Sequence, residues 1–348
     1  LLWAGSLAQR GGPPRRLVDP ETIHLSSGSR VEFHRFHSES LDKDLEYSVF
    51  LPAGYDSSGR TYPVVYFLHG MNNDHTSWCV GRYGNLPQIV DQTIREHSLT
   101  EFVMAHPSGE RGYYTDSANG QALYESSFQN DFTGEIESRF RVRKDRKGRS
   151  IGGTSMGGYG ALRYAERYPE RFAFVASFSG AVNMLSPGLQ RVVFLTELAD
   201  GKPSDGPFGI GAPLPLIVDR FWREADPVAS ETFGPSRLRG MGVALYVGSG
   251  SAANDPDAQF PTNLEAALNP SSHRFSEALT AAGILSSHTW PCRWFPGAAP
   301  SAGTTGPPRR RPQEGWPRSS GSTCRFCRGS FAGDPFRMSK APKSLQVV

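Results

Sequence analysis

The chain has 348 residues, 38% hydrophobic and 20% charged, a globular balance that excludes a disordered polymer and allows one large domain or two ordinary ones. It contains no run of 18 apolar residues, so a membrane-spanning helix is not expected. The formal charge of +3 is uneven: residues 291–348 carry a net +8 and the other 290 a net −5, which argues against a nucleic-acid-binding protein.

Leu1-Leu2-Trp3-Ala4-Gly5-Ser6-Leu7-Ala8 is short and apolar and ends in small residues, as the back half of a secretory signal would. That raises an extracellular location, and residues 1–29 are read as an N-terminal extension. Val31–Phe36 and Leu45–Leu51 read as strands, the second closed by the turn Pro52-Ala53-Gly54-Tyr55-Asp56. Tyr62–Leu68 is a continuous apolar run, the mark of a strand buried on both faces. Leu86–His97 has helical spacing, Phe102–Ala105 is strand-like, and Phe128–Phe140 is an amphipathic helix. A short strand enters Gly152, and a helix runs from Met156 to Arg167. Then follow a strand at Phe172–Phe178, a helix at Leu189–Leu198, a strand at Val243–Val247, a helix at His273–Ala282 and a strand at His288–Phe295. Strands alternating with helices predict an α/β domain over residues 30–296, its mostly parallel sheet covered by helices on both faces.

After Phe295 the periodicity stops. Residues 291–348 hold 9 Pro and 7 Gly, so residues 297–348 are read as a basic, disordered tail. Cys79 stands alone in the first 290 residues, too few for a disulfide framework. Cys324-Arg325-Phe326-Cys327 is a single pair where a zinc site needs four ligands, so neither a metal nor another cofactor is expected.

Gly153-Thr154-Ser155-Met156-Gly157 fits G-x-S-x-G between a predicted strand and a predicted helix. A nucleophilic serine needs that spacing. It must stand on a sharp strand-to-helix turn, and glycines two before and two after remove side chains that would collide across it. The helix beginning at Met156 also aims its first N–H groups and positive dipole end at the reacting centre. A dinucleotide loop needs G-x-G-x-x-G and a Walker loop needs Gly-Lys-Ser/Thr; neither spacing is present. Acyl transfer also needs two N–H groups on one oxygen. Met156 supplies one, and Met71, after the strand end Leu68-His69-Gly70, is the natural second. His69 is read as a structural strand-end histidine, because general bases in this architecture come late in the chain.

The turn Leu51–Tyr55, Tyr66-Phe67-Leu68-His69-Gly70, Gly153–Gly160 with Ala161-Leu162, and Ser177-Phe178-Ser179-Gly180-Ala181 together resemble the esterase branch of the α/β-hydrolases. That branch includes S-formylglutathione hydrolases, feruloyl esterase-like enzymes and the secreted mycolyltransferases. The resemblance covers roughly residues 30–296. It implies a serine esterase hydrolysing a carboxylic ester through an acyl-enzyme on Ser155, with acyl transfer of the mycolyltransferase type as the alternative. The substrate would be a small-molecule, glycan or lipid ester. Tyr113-Tyr114-Thr115-Asp116 is similar to the mycolyltransferase loop beside the substrate cleft, which implies substrate contacts from Tyr114 and Asp116. Trp222 with Asp226-Pro227 resembles a structural pairing of the branch.

The triad acid should follow the strand Val243–Val247, where Asp255, Asp257 and Glu265 qualify. Position favours Asp255; likeness of Leu264–Leu268 to the mycolyltransferase segment carrying the catalytic glutamate favours Glu265. The base is out of place. The resemblance implies a Gly-x-His-Ser-Trp-like motif near Gly297–Gly303, yet no histidine follows His288. His288 and His273 are the remaining candidates. His288 would lie at the wrong end of the sheet if the strand follows it, and His273 falls inside a helix. The missing base, the lost periodicity and the change in composition coincide near residue 297, as a shifted reading frame would leave them. A hydrolase-fold protein that binds an ester without turning it over is the corresponding alternative.

Overall fold

The structure, a computed structural model, describes residues 22–80, 85–96, 99–199, 208, 219–230, 232–248, 262–284 and 287–289. Nine strands among them form one sheet: β1 (Ile23–His24), β2 (Arg30–Ser38), β3 (Lys43–Leu51), β4 (Val64–Leu68), β5 (Val103–Pro107), β6 (Arg149–Thr154), β7 (Phe174–Phe178), β8 (Gly242–Tyr246) and β9 (Ser287–Thr289). Their spatial order is β1-β2-β3-β5-β4-β6-β7-β8-β9. The first three strands and β5 pair antiparallel; from β5 to β9 every pairing is parallel. The predicted α/β architecture is therefore the observed one.

Two cores cover the two faces. In β4, Val64, Tyr66 and Leu68 are fully buried in the larger core, while Val65 and Phe67 pack against the smaller one. The unbroken apolar run of the sequence thus serves both faces. The smaller core is closed by Trp78, Cys79 and Val90, the last from helix α2 (Leu86–Arg95), which follows a single turn α1 (Tyr55–Ser58). The larger face carries α3 (Tyr124–Ser126), a π-helical stretch (Ser127–Phe132) and α4 (Thr133–Arg139), which run on from one another. Beside them lies α5 (Met156–Arg167), and α6 (Pro187–Ala199), α7 (Asp219–Ala225) and α8 (Thr262–Ala281) complete the layer.

A buried charge network ties α3 to α5. Glu125, 3% exposed, accepts from Arg163, Arg167 and the Tyr168 hydroxyl at 2.6–3.3 Å. Arg163 is itself buried, and the neighbouring Tyr159 and Glu125 hold its pKa above the ordinary arginine value against the opposing effect of desolvation. Leaving either charge buried alone would be costly, so the pair fixes the lateral position of α5.

Three sequence expectations change. Residues 22–29, read as part of an extension, join the fold: β1 pairs with β2, and the Ser29 hydroxyl bonds Asp91 at 2.6 Å. The helix predicted from His273 begins at Thr262 and passes through Pro270, since one missing N–H does not stop a helix held by packing. His288 is not at the wrong end of the sheet: β9 pairs with β8 so that His288 lies opposite Leu245. Ser287 pairs with Ala244 in the middle of β8. Residues 1–21 and 290–348, which include the possible signal and the basic tail, lie outside the described residues.

Candidate active site

Ser155 links β6 to α5 with φ 55° and ψ −114°, a conformation that a side-chain-bearing residue adopts only under strong constraint. The constraint is visible. The Ser155 N–H donates to the Phe178 carbonyl at 2.9 Å, and its own carbonyl accepts from Tyr159 and Ala181 at 3.0 and 3.2 Å. A Cβ on Gly153 would lie 2.6 Å from Gly157 backbone, and one on Gly157 would lie 2.3 Å from the Leu68 carbonyl oxygen. The two glycines of the motif are therefore required by backbone approach on both sides of the serine.

The strand end of β4 meets this turn. A Cβ on Gly70 would sit 3.5 Å from the Ser155 Cβ, so residues 70–73 run directly beside the nucleophile position. They form a turn closed by the Asn73 N–H to the Gly70 carbonyl at 3.2 Å, with Asn72 at φ 63°. Met71 is half-buried at that turn, and Met156 is the first residue of α5, where no i−4 carbonyl is available. Neither amide has a hydrogen-bond partner among the described residues. One of these N–H groups thus lies at a helix N-terminus next to Ser155 in the chain, and the other in the turn whose Gly70 adjoins Ser155.

His69 is sequestered. Its Nδ1 bonds the Gly70 carbonyl and its Nε2 accepts from the Gly109 N–H, both at 2.8 Å, and burial lowers its pKa to about 4. It is a neutral brace, as the sequence implies. The Tyr114 ring is buried against His69 and Tyr164, and its hydroxyl donates to the His69 carbonyl at 3.2 Å. Asp116 spends both oxygens on the Ser126 N–H and hydroxyl, at 2.9 and 2.7 Å. Both residues brace the loop rather than present free polar groups. The neighbour Tyr113 instead reaches the site, its hydroxyl 3.5 Å from the Met71 sulfur. Nothing in the sequence distinguishes the adjacent tyrosines, and both have positive φ, 52° and 54°.

The acid and base candidates are separated. Glu265 falls in the first turn of α8. Four residues on, the Asn269 amide donates to the Gly248 carbonyl at 3.1 Å, just past β8, so the start of α8 lies at the sheet edge that carries Ser155. Asp255 and Asp257 lie outside the described residues. His273 is exposed on α8, eight residues or about 12 Å along the helix from Glu265. His288 is level with Gly153 through Leu245 and Ser177, but three strand spacings away, about 14 Å. The backbone thus sets His273 more than two helical turns from Glu265, and His288 three strands from the one that leads into Ser155. An anchor absent from the sequence reading holds α8 in place: Arg274 bonds both Asp226 oxygens at 2.9–3.0 Å and Asn183 at 3.2 Å.

The model of a family described as Putative esterase matches residues 38–286. Esterase Rv1288 of Mycobacterium tuberculosis is 28% identical over 260 residues, which is 73% of this chain and 53% of that protein. The chain thus spans about half the length of the curated relatives it matches. Among solved structures, a ferulic acid esterase superposes with a TM-score of 0.56 at 23% identity, covering 75% of this chain and 89% of that one. An S-formylglutathione hydrolase from Agrobacterium tumefaciens superposes with a TM-score of 0.53 at 20% identity, covering 78% and 91%. These likenesses carry the fold, which is that of the α/β-hydrolases, and the chain belongs to the Esterase family.

Proposed function

We propose that this chain is a serine carboxylesterase that acts through an acyl-enzyme on Ser155. One observation carries the reading: Ser155 is held at φ 55° at the head of α5 by glycines that admit no side chain on either side. Family membership and the esterase names of the curated relatives support the same chemistry. Ser155 Oγ attacks the ester carbonyl carbon, and the carbonyl oxygen becomes an oxyanion between the Met71 and Met156 N–H groups. Collapse breaks the bond to the alkoxy oxygen, which leaves as the alcohol with the proton taken from Ser155. Water then repeats the attack and releases the acid. A sugar hydroxyl in place of water would give acyl transfer instead. Glu265 is the favoured triad acid, since α8 begins at the same sheet edge. Turnover of a p-nitrophenyl ester should vanish in Ser155→Ala; retained turnover would remove Ser155 from the mechanism.

The histidines favour a second reading, a protein that binds esters and turns them over only slowly. Among the described residues no histidine hydrogen-bonds the Ser155 hydroxyl, and residues 297–303, where the motif is expected, hold none. The oxyanion donors and binding alone leave about 10³–10⁴-fold over water. Replacing residues 297–303 with a Gly-x-His-Ser-Trp-type segment discriminates the two. A gain of about 10²–10⁴-fold in kcat means the base alone was lacking. A soluble chimera with no gain counts against the acid assignment and favours the binding protein.

A further inference from the structure

We propose that Tyr113 is a positioning residue for the oxyanion: its hydroxyl holds the Met71 thioether and so fixes the Met71 N–H beside Ser155. The inference rests on the reading of Ser155 as nucleophile and Met71 as oxyanion donor.

Two loops meet at this edge of the sheet, residues 69–73 after β4 and residues 108–116 after β5. Among the described residues, these contacts stitch them together. The Gly109 N–H donates to His69 Nε2 at 2.8 Å, the Tyr114 hydroxyl donates to the His69 carbonyl at 3.2 Å, and the Tyr113 hydroxyl donates to Met71 Sδ at 3.5 Å. The first two end on residue 69, upstream of the proposed donor. Only the third grips the donor residue itself.

A second hydroxyl touches the same sulfur, Thr196 Oγ1 of α6 at 3.7 Å. A hydroxyl has one proton to give, and that of Thr196 goes to the Val192 carbonyl at 2.7 Å. Tyr113 is therefore the donor to the sulfur, and Thr196 is a second, longer contact of the thioether.

The phenol is presented by a rigid support. Tyr113 and Tyr114 are consecutive bulky residues with positive φ, a conformation costing on the order of 1–3 kcal/mol each and kept only where the surroundings enforce it. The Tyr113 ring is 2% exposed and packs edge-on to Phe208 at 5.5 Å, which in turn packs on Trp222 at 4.7 Å. The support is thus fixed independently of Met71. By contrast, the turn it holds is short and contains Asn72 at φ 63°. A thioether is a weak acceptor, so the bond contributes little to folding. Its leverage is geometric. An oxyanion donor must sit 2.7–3.1 Å from the charged oxygen, and loss of one donor costs about 10²–10³ in kcat. Loosening one costs less, about tenfold.

The test compares Tyr113→Phe and Met71→Leu, which keep ring, side-chain bulk and backbone N–H while removing donor or acceptor. Each should lower kcat for a p-nitrophenyl ester about tenfold at unchanged KM, and the double variant should be no worse than either single one. Affinity for an arylboronic acid, whose tetrahedral serine adduct puts an oxygen at the oxyanion position, should fall by the same factor. The thermal midpoint should stay at the wild-type value. Additive losses in the double variant, a loss expressed only in KM, or a fall in thermal midpoint at unchanged boronate affinity would each overturn the positioning role. Ser155→Ala separates the underlying reading: boronate binding or turnover that survives it removes the nucleophile, whereas its loss with an unaffected Tyr113→Phe overturns only Tyr113.

Discussion

A Cβ on Gly157 would lie 2.3 Å from the carbonyl oxygen of Leu68, and the next nearest atoms are also backbone, at 2.6 and 2.7 Å. No rotamer change can relieve such a clash. The first turn of α5 is therefore pressed against the end of β4, two residues after the left-handed Ser155.

Gly157→Ala should therefore destabilise the protein by about 3 kcal/mol or more, or prevent folding. Gly134 in α4 is the matched control, because nothing lies within 4 Å of a Cβ there. Gly134→Ala should be neutral or stabilising by up to about 1 kcal/mol. Thermal melts of the two variants check this. Equal midpoints would contradict the packing account of the elbow.

Stability should depend on pH through buried histidines. Burial lowers His69 to about 4 and His106 to about 3, and it lowers His75 as well. In the unfolded chain these imidazoles take up protons near the ordinary value of about 6.5. Between about pH 6.5 and 4 the unfolded state thus binds protons that the native state does not, and stability falls as the pH is lowered. Each fully buried imidazole can contribute up to about 3 kcal/mol over that window. Urea midpoints between pH 7.5 and 4 should show the decline, and His106→Leu should flatten it. A midpoint constant over that range would contradict the neutral, buried assignment.

Arg274→Met should cost about 2 kcal/mol or more. It strips the charge partner from Asp226, which is 0% exposed and otherwise bonded only to the Val228 and Ala229 N–H groups among its described partners. Removing one partner of a fully buried pair costs about 3–5 kcal/mol, and the partial exposure of Arg274 reduces that here. Because the pair anchors α8, turnover should fall along with stability if Glu265 is the acid. Chemical denaturation measures the first effect, and an unchanged midpoint would show that α8 is held by other contacts.

How legible all this was depends on how local each signal is. The elbow was readable because its requirement is written within five residues: glycines at 153 and 157 around Ser155, after a strand and before a helix. The strand run from Val64 to Leu68 was readable because burial on two faces leaves no polar interruption. The span of α8 was not, because Pro270 reads as a stop while tertiary packing carries the helix through it. The placement of His288 is not legible because the register of β9 against β8 is a tertiary pairing that no pattern within three residues encodes. The different surroundings of Tyr113 and Tyr114 are not legible for a similar reason. Both have left-handed φ and both rings are buried, but the Tyr114 ring packs so closely beside Gly109 and Gly160 that a Cβ there would come within 2.3 and 2.8 Å of it, while the Tyr113 hydroxyl meets Met71.

The central claim is that Ser155 is an activated nucleophile. The measurement that tests it most directly is mass-spectrometric mapping of the full chain after treatment with a fluorophosphonate. The account predicts a single adduct on the peptide containing Ser155, absent from Ser155→Ala and from protein unfolded before treatment. An adduct on a different residue, or a folded chain that takes up none, would contradict it.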